Sequence, residues 1–221
     1  MAVESTPAES RSGGSATLLW KFGRLLCRLY TTLTFDLKVY GLHHVPLTGG
    51  ALVVSNHQSY LDPVLLGAQL QRPMSYMARA TLFRNRLFNW LITNLNAFPV
   101  RRGEGDIGAV KETIRRLHEG HVLAMFPEGT RSITGEIKSL EAGIALLIRR
   151  ADVPVIPAVI EGSFQAWPKG AKLPRRHPIR VVFGPALKLD GLRANQILQV
   201  IESSLRQMLA DLRAGDIAKY K

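Results

Sequence analysis

One cysteine in 221 residues, Cys27, leaves no internal disulfide to staple the fold and suits a reducing compartment. Nor is there a run of the roughly 20 apolar residues that a membrane span needs. The apolar segment near the start is broken by Lys21, Arg24 and Arg28. The uncharged run from Leu87 to Val100 is short and interrupted by Asn89, Asn94, Asn96 and Pro99. The first residues carry Glu4 and Glu9 and no early apolar core, so no secretory signal is expected. No set of Cys and His has metal-site spacing, so no metal is expected, and the isolated pair His43-His44 reads as a polar turn. Acidic residues are also scarce: 17 Asp and Glu face 29 Lys and Arg, a formal charge of +12. That imbalance points to an anionic partner, whether nucleic acid, a phospholipid surface or a phosphorylated substrate.

What is present suits one globular domain, since 46% of the residues are hydrophobic and the length allows a sizeable core. Residues 1–15 are small and polar and read as a disordered tail. Over residues 16–34, Leu19, Phe22, Leu26, Leu29 and Leu33 share one helical face. Lys21, Arg24 and Arg28 gather nearly opposite, and Trp20 and Tyr30 add interfacial aromatics. Such a helix either lies in a membrane surface or packs its apolar face on the domain's own core. From residue 35 to 221, strand and helix signals alternate. Strands are predicted at Phe35–Tyr40, Ala51–Ser55, Met74–Ala78, Ala97–Val100, Val122–Phe126, Val155–Glu161 and Ile179–Phe183. Helices are predicted near Pro63, over about Arg84–Asn94, after Asp106 with Ile107, Val110, Ile114 and Leu117 on one face, from about Ser139 to Arg150, and after Asp190 or Asn195. The fold class is α/β: a mixed, largely parallel sheet of about seven strands flanked by helices.

Four strand ends carry the residues of interest. Ala51–Val54 runs into Ser55-Asn56-His57-Gln58-Ser59-Tyr60-Leu61-Asp62-Pro63. Imidazole can take and return a proton near neutral pH, and a carboxylate on its other nitrogen fixes the tautomer. The same residues also read as a plain helix entry, with Ser59 and Asp62 in a capping box and Pro63 in the first turn. Phe98-Pro99-Val100-Arg101-Arg102-Gly103 ends a strand in two guanidinium forks suited to phosphate. Phe126-Pro127-Glu128-Gly129-Thr130-Arg131-Ser132 ends another in a turn with a carboxylate, a glycine, two hydroxyls and an arginine. Gly129 allows close approach of backbone to a ligand. Val155-Ile156-Pro157-Ala158 reads equally as core or as a strand beside a site. If these ends share one sheet edge, a base, an orienting carboxylate and an anion clamp converge there. That is equipment for acylating the hydroxyl of a phosphorylated alcohol.

These motifs, in this order and spacing, resemble the lysophosphatidic acid acyltransferases of the wider glycerolipid acyltransferase family, over about residues 35 to 190. The resemblance implies that His57 is the general base and Asp62 its partner. It implies that Arg102, Glu128, Gly129, Thr130 and Arg131 bind the acceptor's glycerol phosphate, and that Val155, Ile156 and Pro157 lie near the acyl donor or an acyl chain. It implies acyl-CoA or acyl-carrier protein as donor, no tightly bound cofactor, and phosphatidic acid as product of phospholipid synthesis. It further implies a membrane-docking helical element at residues 16–34, and a place on the cytoplasmic face of the inner or cell membrane. Two positions depart from the family pattern. Glu141 stands where a lysine is frequent, and Arg101 where an aspartate is common. Rival readings are an acyltransferase for another lysolipid or for glycerol 3-phosphate, a hydrolase, and a basic membrane- or nucleic-acid-binding protein. The absence of a Gly-x-Ser-x-Gly elbow counts against a serine hydrolase. The basic residues fall in scattered pairs with no nucleic-acid motif, which counts against a nucleic-acid partner.

Overall fold

Every residue of the apolar run Ala51–Ser55 is buried, as a strand covered on both faces must be. The computed structural model describes residues 18–100 and 107–221. In it this run is β2, the middle strand of seven. The others are β1 (Lys38–Tyr40), β3 (Met74–Arg79), β4 (Ala97–Val100), β5 (Val122–Met125), β6 (Val155–Glu161) and β7 (Arg180–Phe183). Their order is β1-β7-β6-β2-β5-β3-β4. Strands β6, β2, β5, β3 and β4 are mutually parallel, β7 is antiparallel to β6, and β1 is parallel to β7. The expected mixed, largely parallel sheet is the one observed.

Seven helices accompany the sheet among the described residues: α1 (Leu18–Phe35), α2 (Asp62–Gly67), α3 (Arg86–Asn94), α4 (Ile107–His118), α5 (Gly143–Ala151), α6 (Ser163–Ala166) and α7 (Ala194–Ala214). The period of two along each strand divides the core into two layers. Leu52, Val54, Leu123 and Met125 meet Leu117 of α4, Ile144, Leu147 and Ile148 of α5, and Ile197, Ile201 and Leu205 of α7. Ala51, Val53, Val122 and Ala124 meet Leu65 and Leu66 of α2 and Phe35 at the end of α1.

The elements differ from expectation at three places. The first strand is shorter than Phe35–Tyr40, because α1 continues to Phe35 and the chain turns at Asp36 with φ 44°. Phe35 is buried as the last residue of that helix. The helix expected from Ser139 begins at Gly143, because Glu141 N–H is donated to Pro127 O at 2.8 Å and holds the preceding residues in a loop. Ile107, expected to share a face with Val110, Ile114 and Leu117, is exposed at the first turn of α4, whereas Leu117 is buried.

Helix α1 turns its apolar face away from the domain. Phe22, Leu26, Leu29 and Leu33 are all about half exposed or more. The domain is met instead by Arg24, whose Nε and Nη2 donate to Ala68 O (3.1 Å) and Gln69 O (3.4 Å), and by buried Thr31 and Phe35. No helix among the described residues is long and apolar enough to cross a membrane. Residues 1–15, expected to form a tail, lie outside those described.

Beyond β2 the ladder is extended by a side chain. Asn56 Nδ2 donates to Ile160 O at 2.9 Å, and Ile160 N–H donates to Asn56 Oδ1 at 2.8 Å. A side-chain amide thus does the work of a peptide unit where the strand must end so that His57 can leave the sheet. Asn56→Ala should strand both groups of Ile160 and lower stability by about 2–4 kcal/mol. The check is a lower urea midpoint with an unchanged slope.

Candidate active site

Chain direction opens a crevice at the carboxyl edge of β2 and β5. These strands are neighbours and parallel, but their connections leave on opposite faces. Strand β2 feeds α2 in one layer, and β5 feeds α5 in the other. Loops that part in this way leave room between them, which is where open α/β sheets bind ligands. The loop after β2 carries His57 and Asp62, and the loop after β5 carries Glu128 to Ser132.

Asp62 is fully buried. Its Oδ2 accepts Gln58 N–H at 2.6 Å, Ser59 N–H at 2.7 Å and His57 Nδ1–H at 2.9 Å. An oxygen already accepting two backbone donors holds no proton of its own, so the imidazole is the donor and its Nε2 keeps the lone pair. The helix-entry reading is right for Pro63, which stands in the first turn of α2, but the N-cap is Leu61 with no side-chain cap bond, so Ser59 and Asp62 form no capping box. Ser59 Oγ accepts Leu61 N–H (3.2 Å) and donates to Trp167 O (2.9 Å). One carboxylate starts α2 and aims the imidazole. The ring stacks on Phe126, with centroids 4.1 Å apart and planes 19° apart, and its side chain is 14% exposed.

Two backbone bonds tie the loops together at His57. Its N–H is donated to Glu128 Oε1 at 2.8 Å, and its carbonyl accepts Ser132 N–H at 2.7 Å. Glu128 Oε2 accepts Lys138 N–H at 3.1 Å. Both carboxylate oxygens are thus engaged by backbone, and the residue is only 3% exposed. Burial pushes its carboxyl above the ordinary range, opposed by the N–H groups of His57 and Lys138. Glu128, expected to bind the acceptor, accepts a backbone N–H on each oxygen and so braces the His57 backbone.

Gly129 has φ 64°, and a Cβ there would press on Glu141 at 3.2 Å. Glu141, at the frequent lysine position, thus packs over the turn. Thr130 and Arg131 are half-buried in that turn. The Arg131 guanidinium lies 3.4 Å from the centroid of the Tyr60 ring, which in turn is tilted against Trp167 at 5.4 Å. Its Nη1 is buried without a partner among the described residues. Lys138 adds a second cation, its Nζ reaching Arg131 O at 3.5 Å. Tyr60 and Trp167 are the residues that sequence reasoning passed over. Tyr60 stands inside the first motif, but nothing in a linear sequence shows that it stacks on an arginine 71 positions away.

Thus His57, Asp62, Glu128, Gly129, Thr130 and Arg131 come together. Arg102 lies outside the described residues, although β4 ends at Val100 on this same edge. Val155, Ile156 and Pro157 do not join the group. They are buried at the start of β6, with Val155 opposite Leu52 and Pro157 opposite Val54, below the edge where His57 emerges. Val155 and Ile156 pack in the two core layers.

An imidazole aligned by a carboxylate, with no serine or cysteine bonded to its free nitrogen among the described residues, suits a transferase that activates its acceptor rather than itself. Residues 36–161 match the family model described as Acyltransferase, and the chain belongs to that family. It is 26% identical over 198 residues to a 1-acyl-sn-glycerol-3-phosphate acyltransferase of Bacillus subtilis, covering 88% of this chain and 96% of that one. A protein of the same name from Pseudomonas aeruginosa is 26% identical over 175 residues, 77% of this chain and 66% of the other. The crystal structure of the 1-acyl-sn-glycerophosphate (LPA) acyltransferase PlsC from Thermotoga maritima matches with a TM-score of 0.78 at 25% identity, over 88% of this chain and 79% of that one.

The Glu128 brace has a testable signature. Glu128→Gln turns an amide NH2 toward a backbone N–H, and should lower stability by about 1–3 kcal/mol. The raised carboxyl fixes the sign of a pH effect. A group protonated more readily in the fold contributes stability below the ordinary glutamate value, and loses it as pH rises above that value. The wild type should therefore show a fall in stability above about pH 4.5 that Glu128→Gln lacks, read by denaturant titration at a series of pH values.

Proposed function

We propose that this chain transfers a fatty acyl group from an acyl thioester, acyl-CoA or acyl-carrier protein, to the free hydroxyl of 1-acyl-sn-glycerol 3-phosphate. The product is phosphatidic acid. His57 Nε2 takes the hydroxyl proton as the oxygen attacks the thioester carbonyl. The tetrahedral intermediate then collapses, the C–S bond breaks, and the departing thiolate takes the proton from the imidazolium. An ester and a free thiol result, and the imidazole is regenerated. Asp62 keeps the lone pair on Nε2 and stabilises the transient cation. Arg131, with Lys138 beside it and Arg102 from the second motif, receives the acceptor's phosphate, and Gly129 and Thr130 shape the turn that meets it. The apolar outer face of α1 rests on the phospholipid surface, which supplies the acceptor and takes the product.

The observation that carries this reading is the single oxygen, Asp62 Oδ2, shared by the imidazole and two backbone donors beside the Arg131 turn. The relatives' names supply the acceptor, and the net charge agrees with a phosphate group and an anionic surface.

Product analysis tests it. Purified protein is given an acyl thioester with lysophosphatidic acid, with other lysolipids, with glycerol 3-phosphate or with water alone. Phosphatidic acid should dominate. Preferential acylation of another acceptor, or free fatty acid only, would replace this reading with one of its rivals. His57→Ala should lower turnover at least about 100-fold with its circular dichroism unchanged. Arg131→Ala should raise KM for lysophosphatidic acid about 10–100-fold and leave that for the thioester nearly unaltered. Equal changes for both substrates would remove phosphate binding from Arg131.

A further inference from the structure

Between Pro63 and Gly103 the sequence has six arginines and no Asp or Glu. One of them, Arg72, is used internally, donating to the carbonyls of Pro46, Gly49 and Gly120. Arg79, Arg84 and Arg86 are exposed and form no ion pair among the described residues. The contrast with α4 and α7 is sharp. There Arg115 and Arg116 pair with Glu112 and Glu119, Arg206 with Glu202, and Arg213 with Glu136 and Glu161.

Interleaved with these free cations are apolar side chains that face outward. On the 3₁₀ turn Ala80–Arg84 and on α3, Leu82 is 43% exposed, Leu87 77%, Phe88 41% and Trp90 55%. Large apolar groups concentrated on one short segment mark an interaction surface. Leucine, phenylalanine and tryptophan among unpaired arginines fit one kind of partner best, an anionic bilayer: acyl chains meet the first and phosphates the second.

Topology gives this surface a purpose. Strands β2, β5 and β3 are parallel, so β3 ends at Arg79 on the same edge as His57 and Arg131, and the 3₁₀ turn begins there. The crossovers β2–α2–β3 and β3–α3–β4 advance in the same direction along the sheet, and both are right-handed in ordinary folds, which puts α3 in the α1 and α2 layer. We propose that Ala80–Asn94 is a second lipid-contact surface, selective for anionic phospholipid, that seats the catalytic edge on the headgroups independently of α1. Its purpose rests on the acyltransferase reading, but its test does not.

The experiment uses the full chain and sedimentation with phosphatidylglycerol–phosphatidylcholine or pure phosphatidylcholine vesicles at low and high salt. Leu87→Asp with Trp90→Asp, both exposed, should lower partition onto the anionic vesicles at least about tenfold with the melting temperature kept. Arg84→Gln with Arg86→Gln should weaken binding to the anionic vesicles and flatten its salt dependence, with phosphatidylcholine binding unaltered. Unchanged partition in either double variant overturns the proposal. So does a wild-type dimer that Leu87→Asp/Trp90→Asp makes monomeric while vesicle binding survives, since the face would then join two copies. Phe22→Asp with Leu26→Asp reports α1 separately, and acyl transfer to a short-chain, water-soluble lysophosphatidic acid reports the site. Loss of the latter activity in the wild type would sink the acyltransferase reading and leave the vesicle result standing.

Discussion

One buried oxygen governs the candidate site. Asp62 Oδ2 gathers three N–H donors within 2.9 Å, two from the backbone and one from His57. Taking a carboxylate out of water is expensive unless its hydrogen bonds are replaced, and here the chain that precedes it replaces those of Oδ2, while Oδ1 is buried without a partner among the described residues. The same bonds curl residues 57–62 into a tight turn and start α2. The shape of the turn and the direction of the imidazole are therefore one structural fact, so a change at Asp62 disturbs both.

The second loop is bound to the first through backbone rather than through side chains that a substrate needs. Glu128 reaches across from β5 to accept the His57 N–H, and His57 returns its carbonyl to Ser132. That leaves Arg131 free to lie on Tyr60 with a buried, unpartnered N–H. A guanidinium held on an aromatic face loses little further freedom when it meets an anion, which is how preorganisation favours binding. In the proposed reaction the tasks are separate: Asp62 and Glu128 hold the frame, while His57 and Arg131 act on the substrates.

The middle of the sheet was legible in the sequence because β2, β5 and β6 are buried on both faces and read as nearly continuous apolar runs. The His57–Asp62 pair was legible because five positions of turn join them. The bracing bonds of Glu128 were not legible, because its two backbone partners belong to segments 71 and 10 positions away. The placing of Val155–Pro157 was not legible, because a proline-bearing apolar strand looks alike in a core and beside a site; its pairing with Leu52 and Val54 sets it before the end of β2. The periodicity of α1 correctly grouped its apolar residues, but a helical stripe does not say which way it points. That depended on Arg24 finding two carbonyls at the end of α2.

The hold of the Asp62 carboxylate on His57, with the proton on Nδ1 and the lone pair on Nε2, is open to direct measurement by nitrogen-15 NMR of the histidine rings. Neutral His57 in the folded protein should show a protonated Nδ1 and an unprotonated Nε2, and Asp62→Asn should abolish this preference. A His57 ring protonated on Nε2 in the wild type, or one whose tautomer is indifferent to Asp62→Asn, would contradict it.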